Sequence, residues 1–335
     1  MAPDSQGVHL MSLCSRALRF GVWTLLVACS SANAIAQGYP VRPVRFIVTF
    51  LPGGPADIVS RLIGSKLTEA WRQQVVIDNR AGANGIVGTE LGARAAPDGY
   101  TMLYINTSFT INVSLYPKLP YDSAKDLVPV TPMAAGPALL VIGLQVPVRS
   151  LQELIALART KPGQLSYGSS GNGSPSHLSV ELLKRQANID VVHIPYKGAA
   201  AVMTDVLAGQ IQMTMSTIAA VLPHVKANRV RPLAVTSAQR WPAIPEVPTI
   251  SEAAVPGYEQ SNWHGIAMPA GISRATVAQL NAELTRIAKL PDVRERLDGL
   301  GMAPFTMPPN EFAAYVKRDI ENWAKVVKLS GARPE

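Results

Sequence analysis

The segment from Phe50 to Asp57 combines two glycines with an acidic residue, at a point where a strand pattern gives way to a helix pattern. Glycine lets the backbone approach a ligand closely, and the N–H groups at the start of a helix attract an anion. We therefore expect Phe50, Pro52, Gly53 and Gly54 to contact a small anion. Asp57 either stabilises the helix start through its dipole or makes a polar contact to the ligand. A side chain at Gly54 is expected to block the ligand or to strain a backbone that requires positive φ.

A second turn of this kind, Asn79–Gly88, again joins a strand pattern to a helix pattern. Its glycines, Gly82, Gly85 and Gly88, recur at every third position, so the dinucleotide-binding fingerprint G-x-G-x-x-G is absent. Asn84 and Gly85 are the candidate ligand contacts. Close packing between helix and sheet is the alternative explanation for the glycines.

A third turn, Tyr167–His177, places hydroxyl groups and exposed amides before a helix. It is the best candidate for the second half of an anion clamp. The candidate contacts in it are Ser169, Ser170, Gly171, Asn172 and Gly173. The turn lacks the G-x-S-x-G elbow of a serine hydrolase, and no Asp and His in suitable order accompany it. His177 is more typical of a structural residue than of a ligand contact.

A fourth segment, His193–Gly198, ends a strand pattern before another helix. Tyr196 could form a wall of a ligand cleft. Lys197 is more typical of a solvated charge than of a carboxylate partner, and both interpretations stay open.

The remaining reactive residue types do not form a catalytic or metal site in the sequence. The five histidines show no metal-ligand spacing, and both cysteines, Cys14 and Cys29, lie near the N-terminus. No nucleophile–base pair and no cofactor fingerprint is visible. We therefore predict no catalytic residue, no metal and no cofactor.

The charge is positive but dispersed. The 335 residues include 31 Lys and Arg against 23 Asp and Glu, a formal net charge of +8, with no basic block of five or more. This pattern favours a solvated basic surface over a nucleic-acid site. A modest positive field is compatible with an anionic ligand.

The elements that must position the first two turns alternate between strand and helix. Strand patterns cover 44–50, 75–77 and 101–105, and helix patterns cover 56–71 and 84–95. This β-α-β-α-β order predicts a parallel sheet with helices on both faces.

The same alternation restarts after residue 138 and carries the third and fourth turns. Strands are predicted at 139–144, 165–168, 191–194, 211–215 and 233–236, and helices at 150–160, 175–186 and 199–207. A strand at 263–268 returns to the first unit, before helices at 274–288, 291–300 and 309–329. We expect a two-lobed α/β protein, each lobe a mostly parallel sheet flanked by helices. Lobe 1 comprises 37–138 and 261–335, lobe 2 comprises 139–260, and the ligand binds in the cleft at the strand ends.

The first 36 residues have the features of an export signal. Arg16 and Arg19 precede a short apolar run, and Ala34-Ile35-Ala36 forms an A-x-A cleavage site. We expect cleavage after Ala36 and a soluble mature protein. The alternative is lipid attachment at Cys29, because LVAC resembles a bacterial lipobox. The mature chain would contain no free thiol in either case.

Six ordered blocks together resemble one family of receptors. They are YPVRPVRFIVTFLPGGPADIVSR, VVIDNRAGANGIVGTELGARAAPDGYT, LYPKLPYDSAKDL, YGSSGNGSPSHLSVELLK, IPYKGAAAVMTDVLAGQI and RPLAVTSAQRWPAIPEVPTISEAAVPGYE. The chain resembles, from about Tyr39 to Leu329, the receptors of tripartite tricarboxylate transporters, also called the Bug family.

The resemblance implies a type II-like, two-lobed "Venus flytrap" in a Gram-negative periplasm. Such a receptor binds a small carboxylate (a di- or tricarboxylate, an aromatic acid or an amino acid) and passes it to a membrane permease. The family resemblance implies ligand contacts near Phe50–Asp57, Asn84–Gly85, Ser108, Ser169–Gly173 and Tyr196. A monomer without nucleic-acid partners is expected. The alternatives are a ligand-dependent sensor and, from a different class, an α/β enzyme.

Two positions depart from the pattern of the family. Relatives often have His where Phe109 stands, and Asp where Gln212 stands. Both differences make the local chemistry less charged, so we do not expect a relative's ligand to transfer directly.

Overall fold

The computed structural model describes residues 39–334, and the helices and strands among them all lie in the compact unit Arg42–Glu335. The predicted signal segment 1–36, including the cleavage site and Cys29, lies outside the described residues. Within 39–334 the chain forms eleven strands and eleven α-helices. The strands are β1 (Val44–Val48), β2 (Val75–Asn79), β3 (Thr101–Asn106), β4 (Leu127–Gly136), β5 (Ala138–Gly143), β6 (Ser166–Ser169), β7 (Val192–Pro195), β8 (Met213–Thr217), β9 (Val230–Val235), β10 (Asn262–Pro269) and β11 (Ala303–Pro304). The helices are α1 (Pro55–Trp71), α2 (Ile86–Ala93), α3 (Thr107–Leu115), α4 (Leu151–Thr160), α5 (Pro175–Ala187), α6 (Ala199–Ala208), α7 (Ile218–Lys226), α8 (Ile250–Ala253), α9 (Arg274–Ala288), α10 (Pro291–Gly299) and α11 (Pro309–Ser330).

The first sheet has six strands in the order β11-β4-β10-β3-β1-β2. Strand β1 pairs in parallel with β2 and β3, whereas β10 pairs antiparallel with β3 and β4. Strand β1 is apolar on both faces because Phe46 packs into one core and Ile47 into another on the opposite side. This two-sided burial explains why β1 appears in the sequence as a continuous apolar run.

The second sheet has five strands in the order β7-β6-β8-β5-β9. Strand β6 pairs in parallel with β7 and β8, and β5 pairs antiparallel with β8 and β9. The two-lobed α/β class is therefore confirmed, with one correction: each sheet is mixed rather than mostly parallel. The reason is that each β-α-β-α-β unit supplies three parallel strands, whereas the strands at the crossings between the lobes run antiparallel to their neighbours.

The chain passes between the two sheets twice. Pro137 alone separates β4 in the first sheet from β5 in the second, and the segment between β9 and β10 makes the return. The strand predicted at 263–268 does join the first sheet, as β10. The C-terminal helix α11 packs beside these crossings, where Trp323 contacts Leu115 of α3 and Leu178 of α5 in one apolar cluster.

Several local signals in the sequence are confirmed by the structure. The side-chain oxygen of Ser150 accepts a hydrogen bond from the Glu153 amide and caps α4. Gly209 adopts φ 79° and ends α6, as a helix-terminal glycine should. Within residues 39–334, none of the helices combines the length and the apolar composition needed to cross a membrane.

Candidate ligand-binding site

The turns predicted to hold a ligand lie at one edge of each sheet. Strands β1, β2 and β3 are parallel neighbours, so their carboxyl ends meet at the same edge and place the turns after them together. Strands β6, β7 and β8 do the same in the second sheet.

The first turn is shaped by the Asp57 carboxylate. Its Oδ2 accepts a hydrogen bond from the Gly53 amide at 3.0 Å and from Arg61 Nε at 2.9 Å. Its Oδ1 accepts from Asn79 Nδ2 at 3.0 Å, and the same amide nitrogen donates to the Phe50 carbonyl at 3.0 Å. The carboxylate thereby holds Gly53 directly and Phe50 through Asn79.

These contacts favour a structural role for Asp57. The residue is only 3% exposed, and its two oxygens are engaged by protein donors. Burial raises the pKa of this carboxyl, but the hydrogen bonds from Arg61, Gly53 and Asn79 outweigh burial and hold the pKa below its ordinary value. Nothing in the sequence pattern indicates Asn79 as a partner.

The backbone of the glycine pair differs from the expectation for Gly54. Gly53 adopts φ 83°, but Gly54 has φ −83° and ψ 171°, which any residue can adopt. A Cβ added to Gly54 would meet only the Leu51 carbonyl oxygen, at 3.8 Å. The glycine at position 54 therefore leaves open space at the helix start rather than relieving backbone strain.

The second turn lies directly against the first. A Cβ on Gly85 would lie 3.3 Å from Thr49 Oγ1 and 3.6 Å from the Phe50 ring. The side chain of Asn84 donates to Asn112 Oδ1 at 2.9 Å, so it too is engaged inside the protein. Gly88 has room for no side chain, because a Cβ there would lie 2.7 Å from the Arg80 carbonyl oxygen. This supports the packing explanation for Gly88.

Helix α3 supplies a buried, uncapped helix start that no sequence pattern indicates. It follows β3 directly, and its N-cap residue Asn106 makes no capping hydrogen bond through its side chain. Thr107 and Ser108, in its first turn, are almost fully buried. The first N–H groups of a helix have no partner within the helix, so this end can attract an anion or a water that bridges to one. Ser108, which the family resemblance implies as a ligand contact, thus lies at this helix start.

The third turn, in the second lobe, is held by two stacked histidines. Ser169 Oγ lies 2.6 Å from His193 Nε2, and His177 Nδ1 accepts a hydrogen bond from the Gly173 amide at 3.0 Å. The two imidazole rings stack with centroids 3.8 Å apart. Burial, with a smaller contribution from Lys184, lowers the pKa of His177 to about 4, so this histidine is neutral at pH 7. The structural interpretation of His177 is supported.

The Ser169–His193 contact is short enough for a nucleophile–base pair, but its surroundings favour a structural role. Ser169 is fully buried, and its hydroxyl also donates to the Gly171 carbonyl and accepts from the Gly171 amide. A substrate carbonyl would have to displace these contacts to reach Oγ. The pair therefore serves to fix the turn.

The other members of this turn are more accessible. Ser170 is exposed, and both its amide and its hydroxyl lie 3.0 Å from Ser176 Oγ. Gly171 and Asn172 are half-buried. In the fourth segment the Tyr196 hydroxyl donates to Asp205 at 2.6 Å, which fixes its ring beside the third turn. Burial first, and Asp205 second, raise the pKa of Tyr196 to about 12.

Two contacts join the strand-end turns of the second lobe to the first lobe. A Cβ on Gly173 would lie only 3.1 Å from Leu115 Cδ1, so the third turn rests on the last residue of α3. Gly301, just before β11, similarly lies against Ile218 at the start of α7. Helix α7, whose N-cap Thr217 makes no capping bond, is a further helix start at this edge that the sequence did not reveal.

A cavity of about 660 Å³ lies elsewhere, at the two crossings between the sheets. Its walls include Gly136, Gln260 and Asp319, and none of the predicted ligand contacts lines it. The strand-end turns remain the better candidate because uncapped helix starts are there.

At both departures from the family pattern the side chain is engaged inside the protein. Phe109 is buried and its ring stacks on that of Tyr121 at 6.3 Å. Gln212 Oε1 accepts hydrogen bonds from the amide and the hydroxyl of Ser166, at the strand ends opposite the turns. Phe109 thus serves packing, beside the first turn of α3, and Gln212 joins β6 to β8 at the strand ends away from the turns.

Comparisons with known proteins agree with this architecture. A family model for the tripartite tricarboxylate transporter family receptor matches residues 59–331. The chain is 38% identical over 325 residues to a protein encoded between tcbD and tcbE in a Pseudomonas species, with 97% of each chain covered. It is 33% identical to BugT of Bordetella pertussis, over 90% of this chain and 94% of BugT.

Solved structures give the same result. The R. palustris protein Rpa4515, solved with adipate, is 36% identical with a TM-score of 0.79, covering 89% of this chain and 100% of the other. MatC from Rhodopseudomonas palustris, solved with bound malate, is 33% identical with a TM-score of 0.75, covering 86% and 100%. With two lobes, uncapped helix starts at the strand ends and these matches along its length, the chain belongs to the tripartite tricarboxylate transporter receptor family.

Proposed function

We propose that this chain is an exported receptor that binds a small dicarboxylate between its two lobes and delivers it to a membrane permease of the tripartite tricarboxylate type. The proposal assigns the chain to the periplasm, as a monomer without catalytic activity. The candidate contacts are those predicted from the sequence, with Asp57 and Asn84 shaping the turns through their side chains.

The observation that carries the proposal is the distribution of helix caps. Helices α1, α3, α6 and α7 begin at the strand-end turns, and none of these four has a capping side chain. By contrast α4, α8 and α9, which begin elsewhere, are capped by Ser150, Thr249 and Ser273. Helices α10 and α11 are also uncapped, but neither follows a parallel strand.

Helix α5 is the exception at the strand ends, because the Ser174 hydroxyl accepts a hydrogen bond from the His177 amide and caps it. The third turn can therefore offer a ligand its exposed amides and hydroxyls, while the uncapped starts in the second lobe are those of α6 and α7. Helix starts without a capping side chain thus lie at the strand-end edge of both lobes. This arrangement suits a ligand with an anionic group at each end.

The ligand class is supported by what the candidate contacts contain. They include no lysine or arginine, so a carboxylate would be held mainly by main-chain N–H groups and hydroxyls rather than by ion pairs. Two relatives with more than 30% identity were solved with the dicarboxylates adipate and malate. A dicarboxylate of four to six carbons is therefore the first ligand to test.

The experiment is a thermal-shift screen of the chain from Gln37, followed by titration calorimetry. The panel contains malate, succinate, adipate, citrate and benzoate, with glucose and AMP as uncharged and phosphorylated controls. A ligand at a hundred times its Kd should stabilise the protein by about 2.7 kcal/mol, which raises Tm by several degrees. Stabilisation by glucose or AMP, with no response to any carboxylate, would contradict the proposal.

Export has its own test. The intact mass of protein recovered from the periplasm should correspond to a chain beginning at Gln37. A mass that includes a lipid on Cys29 would replace the soluble form by a membrane-attached one.

A further inference from the structure

The turn Gly82–Gly85 has an unusual backbone. All four of its residues have positive φ, including 46° at Ala83 and 52° at Asn84. Glycine adopts such angles freely and asparagine tolerates them, but alanine avoids them because its Cβ approaches the carbonyl oxygen. Contacts from outside the turn must therefore hold it.

Asn112 provides these contacts. Its Nδ2 donates to the Asn84 carbonyl at 3.0 Å, and its Oδ1 accepts from Asn84 Nδ2 at 2.9 Å. Asn112 is 1% exposed, so water does not compete for these hydrogen bonds. The reciprocal pair fixes both the carbonyl group and the side chain of Asn84.

The surroundings of Asn112 reinforce the link. Thr89 Oγ1 donates to the Gly85 carbonyl at 2.8 Å. The Tyr121 hydroxyl lies beside Thr89 and Asn112 without a hydrogen bond of good geometry. Asn112 belongs to α3, whose uncapped first turn is part of the candidate site. The buried side-chain amide of Asn112 therefore joins α3 to the Asn84–Gly85 turn, and both belong to the candidate site.

We propose that Asn112 is a positioning residue, which holds the Asn84–Gly85 turn in its ligand-binding conformation without touching the ligand. This inference rests on the proposed function and names a residue that shapes the same site. Because Asn112 acts on the backbone of Asn84, its effect should depend on how readily residue 84 adopts positive φ.

The first test uses the ligand-free protein, so it does not depend on the ligand. Amide hydrogen exchange is measured in wild type, Asn112→Ala and Thr110→Val. Thr110 is the matched control, because it is buried in the same helix and its hydroxyl contacts Asp319 and the Thr107 carbonyl rather than the turn. Exchange in residues 82–88 should be about tenfold faster in Asn112→Ala and unchanged in Thr110→Val. Equal exchange in Asn112→Ala and wild type would overturn the proposal.

If Asn112→Ala does not fold, Asn112→Asp is compared in the same way. It keeps an acceptor for Asn84 Nδ2 but has no donor for the Asn84 carbonyl, and it should also loosen residues 82–88. Unchanged exchange in a folded Asn112→Asp protein would count equally against the proposal.

The second test measures adipate binding by titration calorimetry. Asn112→Ala should weaken binding about tenfold, or about 1.4 kcal/mol, while Thr110→Val does not. In an Asn84→Gly background the same change should have a smaller effect, because glycine adopts positive φ without help. An equal loss in both backgrounds would show that Asn112 does not act through residue 84. If wild type binds neither adipate nor another carboxylate, the proposed function fails, while the exchange experiment still tests Asn112.

Discussion

Replacing Gly173 by alanine should destabilise the protein through a contact between the lobes. The added Cβ would overlap Leu115 Cδ2 outright and would lie 3.1 Å and 3.2 Å from Cδ1 and Cγ. Normal contact between carbon atoms is about 3.5–4.0 Å, so Leu115 or the turn must move. Gly173 also has φ 69°, which costs an alanine about 1 kcal/mol.

A matched control separates these two costs. Gly163 has nearly the same φ, 70°, but its Cβ would meet only Asp190 Oδ2, at 3.4 Å. Gly163→Ala should therefore cost about 1 kcal/mol, from the backbone alone. Gly173→Ala should cost about 2–4 kcal/mol, since overpacking adds about 1–3 kcal/mol.

Urea denaturation at pH 7 measures both changes, with a double-mutant cycle through Leu115→Ala. Truncation of Leu115 removes the overlapping atoms, so Gly173→Ala should cost only about 1 kcal/mol in that background. If Gly173→Ala costs no more than Gly163→Ala, or if Leu115→Ala gives no relief, the third turn does not rest on α3.

Two further predictions concern the binding turn and pH. Gly54→Val should abolish binding of adipate with little change in Tm, because the backbone at 54 is unstrained and the new side chain would occupy the open helix start. Ser170→Ala should cost about 1 kcal/mol of binding free energy. If titration calorimetry gives unchanged affinity in both variants, the ligand does not bind between these turns. The buried His177 has a pKa of about 4 in the folded protein and about 6.5 in the unfolded chain, so below pH 6.5 the unfolded chain binds a proton that the folded protein does not. The free energy of unfolding should therefore be unaffected by His177 above pH 6.5 and fall by about 3 kcal/mol by pH 4. Urea melts from pH 7 to pH 4.5 should show a smaller pH dependence in His177→Asn, and an identical dependence would contradict the assignment.

The sequence predicts local structure well where periodicity and caps act together. The bounds of α9, Arg274–Ala288, are those predicted, and Ser273 caps it. Helix α3 is not predicted by its sequence because almost all its residues are buried, so Thr107–Leu115 has no polar face to set a helical period.

The turns of the candidate site could be located from the sequence, but the contacts that hold them could not. Glycine and serine turns after strands are visible in the sequence, and the structure brings them together at one edge of each sheet. The partners of those turns are distant in sequence: Asn79 lies 22 residues from Asp57, and Asn112 lies 28 residues from Asn84. A side-chain hydrogen bond across such a distance leaves no periodic pattern, so only the folded chain reveals it.

The position of α11 has a consequence for the order in which the chain can fold. The first lobe's outer core needs Phe312 and Val316, and the cluster around Leu178 of the second lobe needs Trp323. A chain synthesised only as far as β9 therefore lacks both the return strand and the helix that covers these surfaces. Neither of these apolar clusters is therefore complete until α11 has been synthesised, so the final packing of both lobes must wait for residues 309–330.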